Sequence, residues 1–432
     1  MGENVKILLK NAKIIDPSQK LKGDKSFDIL ICNGKIEKIE KNILKYEASK
    51  VIDIENQYLA PGFIDLHVHF RDPGFTYKEN LESGVEAAVS GGFTTVVCMP
   101  NTNPPLDSKL ALFYINEKRK NLKSFLFVAV PITKERKGKE LSDFISLKSE
   151  FPDLVVGISD DGNDVEDTEV LYNAMRLAKE YNLIVFSHCE DKYLFEGGHL
   201  NEGKASAYYG IKGIPNECES IGVYRNVILA LKTGACLHLQ HISTKESIDI
   251  LKVYKNKNIS AEVCPHHFIL TEEELLKNLN PNLKMNPPLR SKKDVETIKE
   301  AIKKDIIDVI ATDHAPHSPK EKETAFEKAP FGIIGLQTAF SLSLRLVEEN
   351  YLSLYKLIEK LTLKPAQILR KTDIGNLKTG SWANCVIFDS NKTWVYTKEN
   401  NKSKSLNSPF LNWKLKGKIL KTIFKGDIVY EN

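Results

Sequence analysis

The sequence predicts an α/β fold: a (β/α)8 barrel carrying a small β-sandwich domain formed by the N- and C-terminal segments. Three observations predict it. Between residues 58 and 372, eight strand-like runs alternate with amphipathic helical segments. Residues 1–57 and 373–432 instead show strand-like alternation punctuated by turns, and neither end is large enough for a core of its own. Histidine and aspartate recur at the ends of the eight runs, the face on which barrel sites are built. A doubly wound sheet also alternates, but it usually has fewer strands and a glycine-rich first turn, absent here.

The totals narrow the function. A chain of 432 residues, 42% hydrophobic and 27% charged, describes an ordinary globular protein with a sizeable core. A net charge of +4 over 61 basic and 57 acidic residues is too balanced for a nucleic-acid or membrane surface. No run reaches the eighteen apolar residues of a membrane span. Met1 to Lys6 lacks an apolar signal region, and Lys6 disfavours myristoylation. Seven cysteines, none in Cys-x-x-Cys spacing, read as free thiols in a reducing cytoplasm.

Along the chain, residues 5–15, 28–39 and 50–54 read as strands, with a turn at Asn33-Gly34. Strand one of the barrel is Phe63-Ile-Asp-Leu-His67-Val-His69, broken before by Ala60-Pro61-Gly62 and after by Asp72-Pro73-Gly74. Alternate residues of a strand share a face, so His67 and His69 point the same way, about 7 Å apart. The later strands end near Pro100, Thr133, Asp161, His188, Ser243, His267 and Asp313. Helical periodicity covers 82–89, 109–119, 170–181, 220–231, 245–254 and 294–302. Ser243-Thr-Lys-Glu246 and Thr271-Glu-Glu-Glu274 fit capping boxes. The polar stretch 318–328 reads as a mobile loop after strand eight, and strands return at 385–389, 394–397, 418–424 and 428–430.

At the strand ends stand His67 and His69 (strand one), Asp160 and Asp161 (four), His188 (five), His241 (six) and Asp313 (eight). Any one alone would more often be structural. Four histidines and two aspartates at one end of one barrel exceed the needs of a single tetrahedral zinc and fit two metals bridged by a carboxylate. Such a pair holds hydroxide at neutral pH, and Asp313 beside it serves as ligand and general base. The residues therefore point to metal-assisted hydrolysis. Alternation lets only one of Asp160 and Asp161 face inward.

The pattern His67-x-His69, His188, His241 and Asp313 resembles the amidohydrolase superfamily. Within it, His67-Val-His-Phe-Arg71-Asp-Pro-Gly74 is similar to the zinc dihydroorotases of bacterial class I type. So are Met99-Pro-Asn-Thr102, Asp160-Asp-Gly162, His241-Ile-Ser-Thr244, Met285-Asn-Pro-Pro-Leu-Arg290, Thr312-Asp-His-Ala-Pro-His317 and Phe331-Gly332. The resemblance implies reversible cyclisation of N-carbamoyl-L-aspartate to (S)-dihydroorotate in pyrimidine biosynthesis, with one or two Zn2+ per subunit and hydroxide on the metal as nucleophile. It implies His67, His69 and Asp313 at the first zinc, His188 and His241 at the second, and Asp161 as bridge. Arg71, Asn101, Asn286 and His317, with His69, would hold the substrate, and Phe331-Gly332 would touch its ring through the backbone. Ser159 departs from an expected Thr. A homodimer, and a complex with aspartate carbamoyltransferase, are the expected assemblies.

Other histidines and thiols receive structural readings. His238 lies three residues before His241 and is expected to face away from the site. His266 and His267 are surplus to a full site, His199 is expected to be solvated, His314 to shape its loop, and Cys189 to be a buried thiol. Two other functions compete. Dihydropyrimidinases, hydantoinases and allantoinases share the barrel but bridge their metals with a carboxylated Lys at strand four, and residues 155–162 contain none. A non-catalytic scaffold for the carbamoyltransferase would have lost ligands that this chain keeps.

Overall fold

Strand one spans Phe63–Val68 in the structure, a computed structural model that describes residues 6–432. Residue 5, the expected start of the first terminal strand, lies outside the described residues. The other barrel strands are Phe93–Cys98, Phe125–Val130, Val155–Ile158, Ile184–Ser187, Cys236–Leu239, Ile259–Val263 and Val309–Ile310, paired in parallel in sequence order. Strands eight and one meet through an isolated bridge between Val68 and His314 and a hydrogen bond from His69 N to His314 O of 2.9 Å. Asp65 fastens the same seam, accepting from Thr312 Oγ1 at 2.6 Å and from the His67 amide at 3.0 Å.

Ile64, Leu66, Val97, Phe127, Val156 and Phe186 fill the barrel interior, while Val68, Val96, Cys98 and Val128 pack beneath the helices. Each such side chain, fully buried, contributes about 1.5–3 kcal/mol. Strand one changes sides in its middle. Asp65 lies opposite Val96 and Val68 opposite Cys98, so strand one has one residue more than its partner over that interval. This bulge shifts the inward parity from Ile64 and Leu66 to His67 and His69.

His238 corrects the sequence expectation. It faces into the barrel, with Nε2 2.9 Å from Glu262 Oε2 and its ring edge-on to Phe186. Alternation beyond the strand end misleads here, because the strand stops at Leu239 and His241 has a left-handed φ of 32°. That backbone turn lets residues of opposite parity both face inward.

The chain ends share one eight-stranded sheet, in which Tyr58–Pro61 lies between Lys6–Asp16 and Cys385–Val395. Ile14, Ile29 and Leu59 pack with Leu377, Ile387 and Ile423 in a common core. Leu21–Cys32 and Lys35–Glu40 form a hairpin whose two turn residues, Asn33 and Gly34, have φ of 49° and 77°, as a tight twisted turn requires. The helix at Lys245–Tyr254 is capped by Thr244, whose side chain accepts from Ser247 N, one residue later than the predicted box. Thr271 caps nothing: the short helix Glu274–Lys277 follows Glu273, with no side-chain cap. The 318–328 segment is anchored, since Lys322 turns inward and donates to the carbonyls of Pro281, Lys284 and Pro330 at 2.8–3.2 Å. Among the described residues, no helix is long and apolar enough to cross a membrane.

Candidate metal centre and active site

The bulge in strand one, the left-handed turn at His241 and a second one at Asp313 (φ 47°) turn side chains of three strands to the point that Asp161 and His188 also reach from the ends of strands four and five. His67 Nε2 and His69 Nε2 lie 3.2 Å apart, and Asp161 Oδ2 is 3.3 and 3.2 Å from them. Asp313 Oδ1 completes this half, 3.0 Å from His69 Nε2 and 3.6 Å from His67 Nε2. In the other half His188 Nδ1 and His241 Nε2 are 2.8 Å apart, with Asp161 Oδ1 3.3 and 3.8 Å away. Each oxygen of Asp161 therefore faces its own histidine pair. Its neighbour Asp160 points elsewhere, accepting from the amides of Ile132 and Thr133 at 2.8 and 3.0 Å.

The donor set fits a pair of metal ions. Four-coordinate bonds of 2.0–2.1 Å place neighbouring donors about 3.3 Å apart, close to most of these separations. The charges agree. Burial opposes ionisation of Asp313, but His67, His69 and His241 hold its carboxyl well below the ordinary range. Burial likewise opposes a charged His67, yet Asp161, Asp313 and Glu262 outweigh it and raise its pKa well above the ordinary value. For His188, Asp161 and Glu190 overcome burial and push it up to about 10. The acids of this buried cluster thus favour positive charge at His67 and His188, whereas at His69 burial wins and lowers the pKa.

Supporting residues orient these donors. Glu262 Oε1 is 2.7 Å from His67 Nδ1, leaving Nε2 for the centre, and its other oxygen holds His238. Asn101 Oδ1 performs the same service for His69 Nδ1 at 2.7 Å. Glu190 is 3.3 Å from His188 Nε2 and accepts from Asn286 at 2.5 Å. Asp65, whose carboxyl burial pushes up to about 7, fixes the His67 backbone. Ser159 Oγ accepts from the Asp161 amide at 3.1 Å. Sequence reasoning passed over Asp65, Glu190 and Glu262. The available signal was a carboxylate inside an otherwise apolar strand, which Asp65 and Glu262 both show.

Arg71, in left-handed conformation at φ 55°, is buried beside the centre and, among the described residues, donates only to Pro316 O at 3.3 Å. The acids near it in sequence are engaged elsewhere: Asp72 with Tyr114 and Lys118, Glu79 with Ser83, Ser403 and His314. His317 uses both ring nitrogens within the protein, Nε2 with Phe331 O at 2.8 Å and Nδ1 with Lys78 at 3.4 Å. The Gly332 amide donates to Lys284 O and its carbonyl accepts from Asn407, so this backbone is also engaged. Its φ of 124°, with a Cβ placed 2.7 Å from Ala315 Cβ, requires glycine.

The remaining candidates stay out of the donor cluster. His314 accepts from the amides of Gly335 and Leu336, shaping the strand-eight loop. Cys189 is buried beside Ser187 and Asn226. His266 and His267 are buried next to Cys264, with His267 Nε2 on Pro287 O at 2.9 Å. His199 is not freely solvated; it is half-buried and accepts from Lys284 at 3.2 Å.

Comparison with known proteins follows the same geometry. The model of the "Amidohydrolase family" matches residues 58–429. The chain is 48% identical to a dihydroorotase of Aquifex aeolicus (strain VF5), covering 99% of this chain and 100% of that protein. It is 45% identical to one of Clostridioides difficile (strain 630), covering 98% and 99%. Among solved structures, an L-hydantoinase (dihydropyrimidinase) from Arthrobacter aurescens superposes with a TM-score of 0.86 at 24% identity, over 98% of this chain and 96% of that one. That likeness is one of fold.

Proposed function

Because the chain belongs to the amidohydrolase family, and within it to the dihydroorotases, we propose that it interconverts N-carbamoyl-L-aspartate and (S)-dihydroorotate at the His67–Asp313 cluster. The observation that carries this reading is Asp161 divided between two histidine pairs, with Arg71, which has no carboxylate partner among the described residues, beside them. Zinc is the proposed metal, one or two ions per subunit, because imidazole and carboxylate donors at tetrahedral separations suit it. His67, His69, Asp161 and Asp313 would hold one ion and Asp161, His188 and His241 the other. Bound there, the metal supplies acidity to water and polarises the ring carbonyl.

The chain's own groups do the rest. Asp313, kept ionised by three imidazoles, takes a proton from the attacking water and returns it to the ring nitrogen as the carbon–nitrogen bond breaks. Ring closure reverses these transfers. Arg71 offers a two-pronged donor to the carboxylate that both substrates carry, and Asn101 keeps its amide hydrogens available while its oxygen holds His69. Asn286 reaches the mouth from beside His188. His317 and Phe331-Gly332 would bind substrate by exchanging their present hydrogen bonds for it.

The division into 1–57 plus 373–432 and 58–372, a homodimer, association with aspartate carbamoyltransferase and a cytoplasmic location belong to the same proposal. Seven free thiols support the last. The test is turnover of both substrates by protein of known zinc content. Ring opening of dihydroorotate well above that of dihydrouracil or hydantoin is expected. Equal turnover of the neutral rings would assign the site to the cyclic-amide hydrolases instead.

A further inference from the structure

Outside the catalytic centre the molecule buries a second group of metal-type donors. Cys264 follows strand seven, and His266 and His267 lie in the short helix Pro265–Ile269 that comes next. The Cys264 sulfur and a ring nitrogen of each histidine lie within 4.8 Å of one another. Two other trios of donors are as close, His67-His69-Asp161 and Asp161-His188-His241, and both belong to the catalytic centre. The two histidine rings are 4.3 Å apart between centroids, and each residue is only 2% exposed.

The hydrogen bonding of this group is incomplete. His266 Nε2 and His267 Nδ1 are buried without a hydrogen-bond partner. A buried polar atom left unpaired costs about 1–3 kcal/mol, so two of them on adjacent residues call for a ligand. His267 Nε2 donates to Pro287 O at 2.9 Å, which places the proton there and leaves a lone pair on Nδ1. A histidine tethered through its far nitrogen to a backbone carbonyl is the common arrangement of a metal ligand. Burial holds His266 well below its ordinary value and His267 down to about 4, so both rings stay neutral, the form that binds a metal.

We propose that Cys264, His266 and His267 form a separate metal site, which takes Zn2+ on one thiolate and two imidazoles. Such a donor set suits zinc and leaves its fourth position to water. Burial raises the Cys264 thiol well above its ordinary value, so the free site carries S–H. On binding, that proton passes to solvent as the sulfur–zinc bond forms. The ion would staple the end of strand seven, where Glu262 orients His67, to the Asn286-Pro287 segment that His267 already reaches. The site stands whichever ring the enzyme opens.

Cobalt reports on this site without reference to turnover. In protein produced with Co2+ in place of zinc, a sulfur ligand gives a near-ultraviolet thiolate-to-cobalt band. The imidazole and carboxylate donors of the catalytic centre cannot give it. Wild type should show the band, and C189S should keep it, Cys189 being the thiol next to His188 in the chain. C264S should lose the band together with about one cobalt per chain, and H267Q should lose most of it. X-ray absorption of unaltered zinc-loaded protein should show a sulfur neighbour at about 2.3 Å, which keeps the test open even where C264S fails to fold. No band in wild type, or a band that persists in C264S, would overturn the site. A band that vanishes in C189S would do so too, by placing the sulfur ligand at the catalytic centre. A zinc shell of nitrogen and oxygen alone would have the same force.

Discussion

At the floor of the barrel, Ile64, Leu66, Val97, Phe127 and Phe186 obey strand alternation and pack on one another. At the mouth, a few ångström along the same strands, alternation is broken at several of the donors, though His188 keeps the parity of Ile184 and Phe186. Strand one inserts a residue before His67, and His241, Asp313 and Arg71 take left-handed backbones. Regular strands pack well but can aim only every second residue. The irregular positions give up some backbone comfort, about 1–3 kcal/mol each, to bring side chains of either parity to one point. Stability and chemistry are thereby assigned to different layers of one sheet.

Substitutions at the two levels should therefore fail in different ways. The largest effect on turnover is expected from D313N, which keeps an oxygen donor but cannot accept a proton. Activity should fall about 10²–10⁴-fold with metal largely retained, measured as kcat alongside metal content. Near-normal kcat would place the base elsewhere. R71Q comes next: loss of a bidentate charged contact, roughly 2–4 kcal/mol, should lower kcat/KM about 30- to 1000-fold in both directions, with metal unchanged. Turnover of a neutral ring such as dihydrouracil should fall much less, and an equal loss on both would refute carboxylate recognition by Arg71.

E262Q acts one step back from the centre. Its amide cannot serve as the charged acceptor for His67 Nδ1, and metal affinity should weaken about 10- to 100-fold, read by competition with a chelator. An unchanged affinity would show that His67 is oriented without Glu262. The smallest effect on turnover is expected at the floor. L66A should lower unfolding stability by about 2–5 kcal/mol, through lost burial and a cavity, while kcat at full folding stays within about threefold. A catalytic defect there as deep as that of R71Q would mean the two layers are not separable.

Much of this was legible in the residues. Eight alternating runs announced the barrel, and strand-end histidines and aspartates announced the cluster, because period and punctuation are local properties of the chain. The choice between Asp160 and Asp161 was not local: Asp160 is drawn away by amides of a different strand. His238 was misread for a related reason, since a left-handed φ at His241 leaves no mark in the side-chain pattern. Lys322 was hidden by composition. A lysine in a polar stretch reads as solvated, and only the three carbonyls converging on it reveal an anchor. Glu262 and Asp65 were readable in principle, as charges inside apolar strands that need partners.

The seam between strands eight and one would give a bound metal a second task. Seven strand junctions are ladders of paired residues, whereas this one is latched by a bridge, the carboxylate of Asp65 and one amide. His67 and His69 stand on one side of the latch and Asp313 on the other. An ion held between them is a rivet through the weakest joint of the hoop. Amides flanking the seam, such as those of His69 and Thr312, would then exchange with solvent on a clock set by metal occupancy. The emptied barrel would open along this line before its helices loosen, and the hoop would be strongest when it is ready to work.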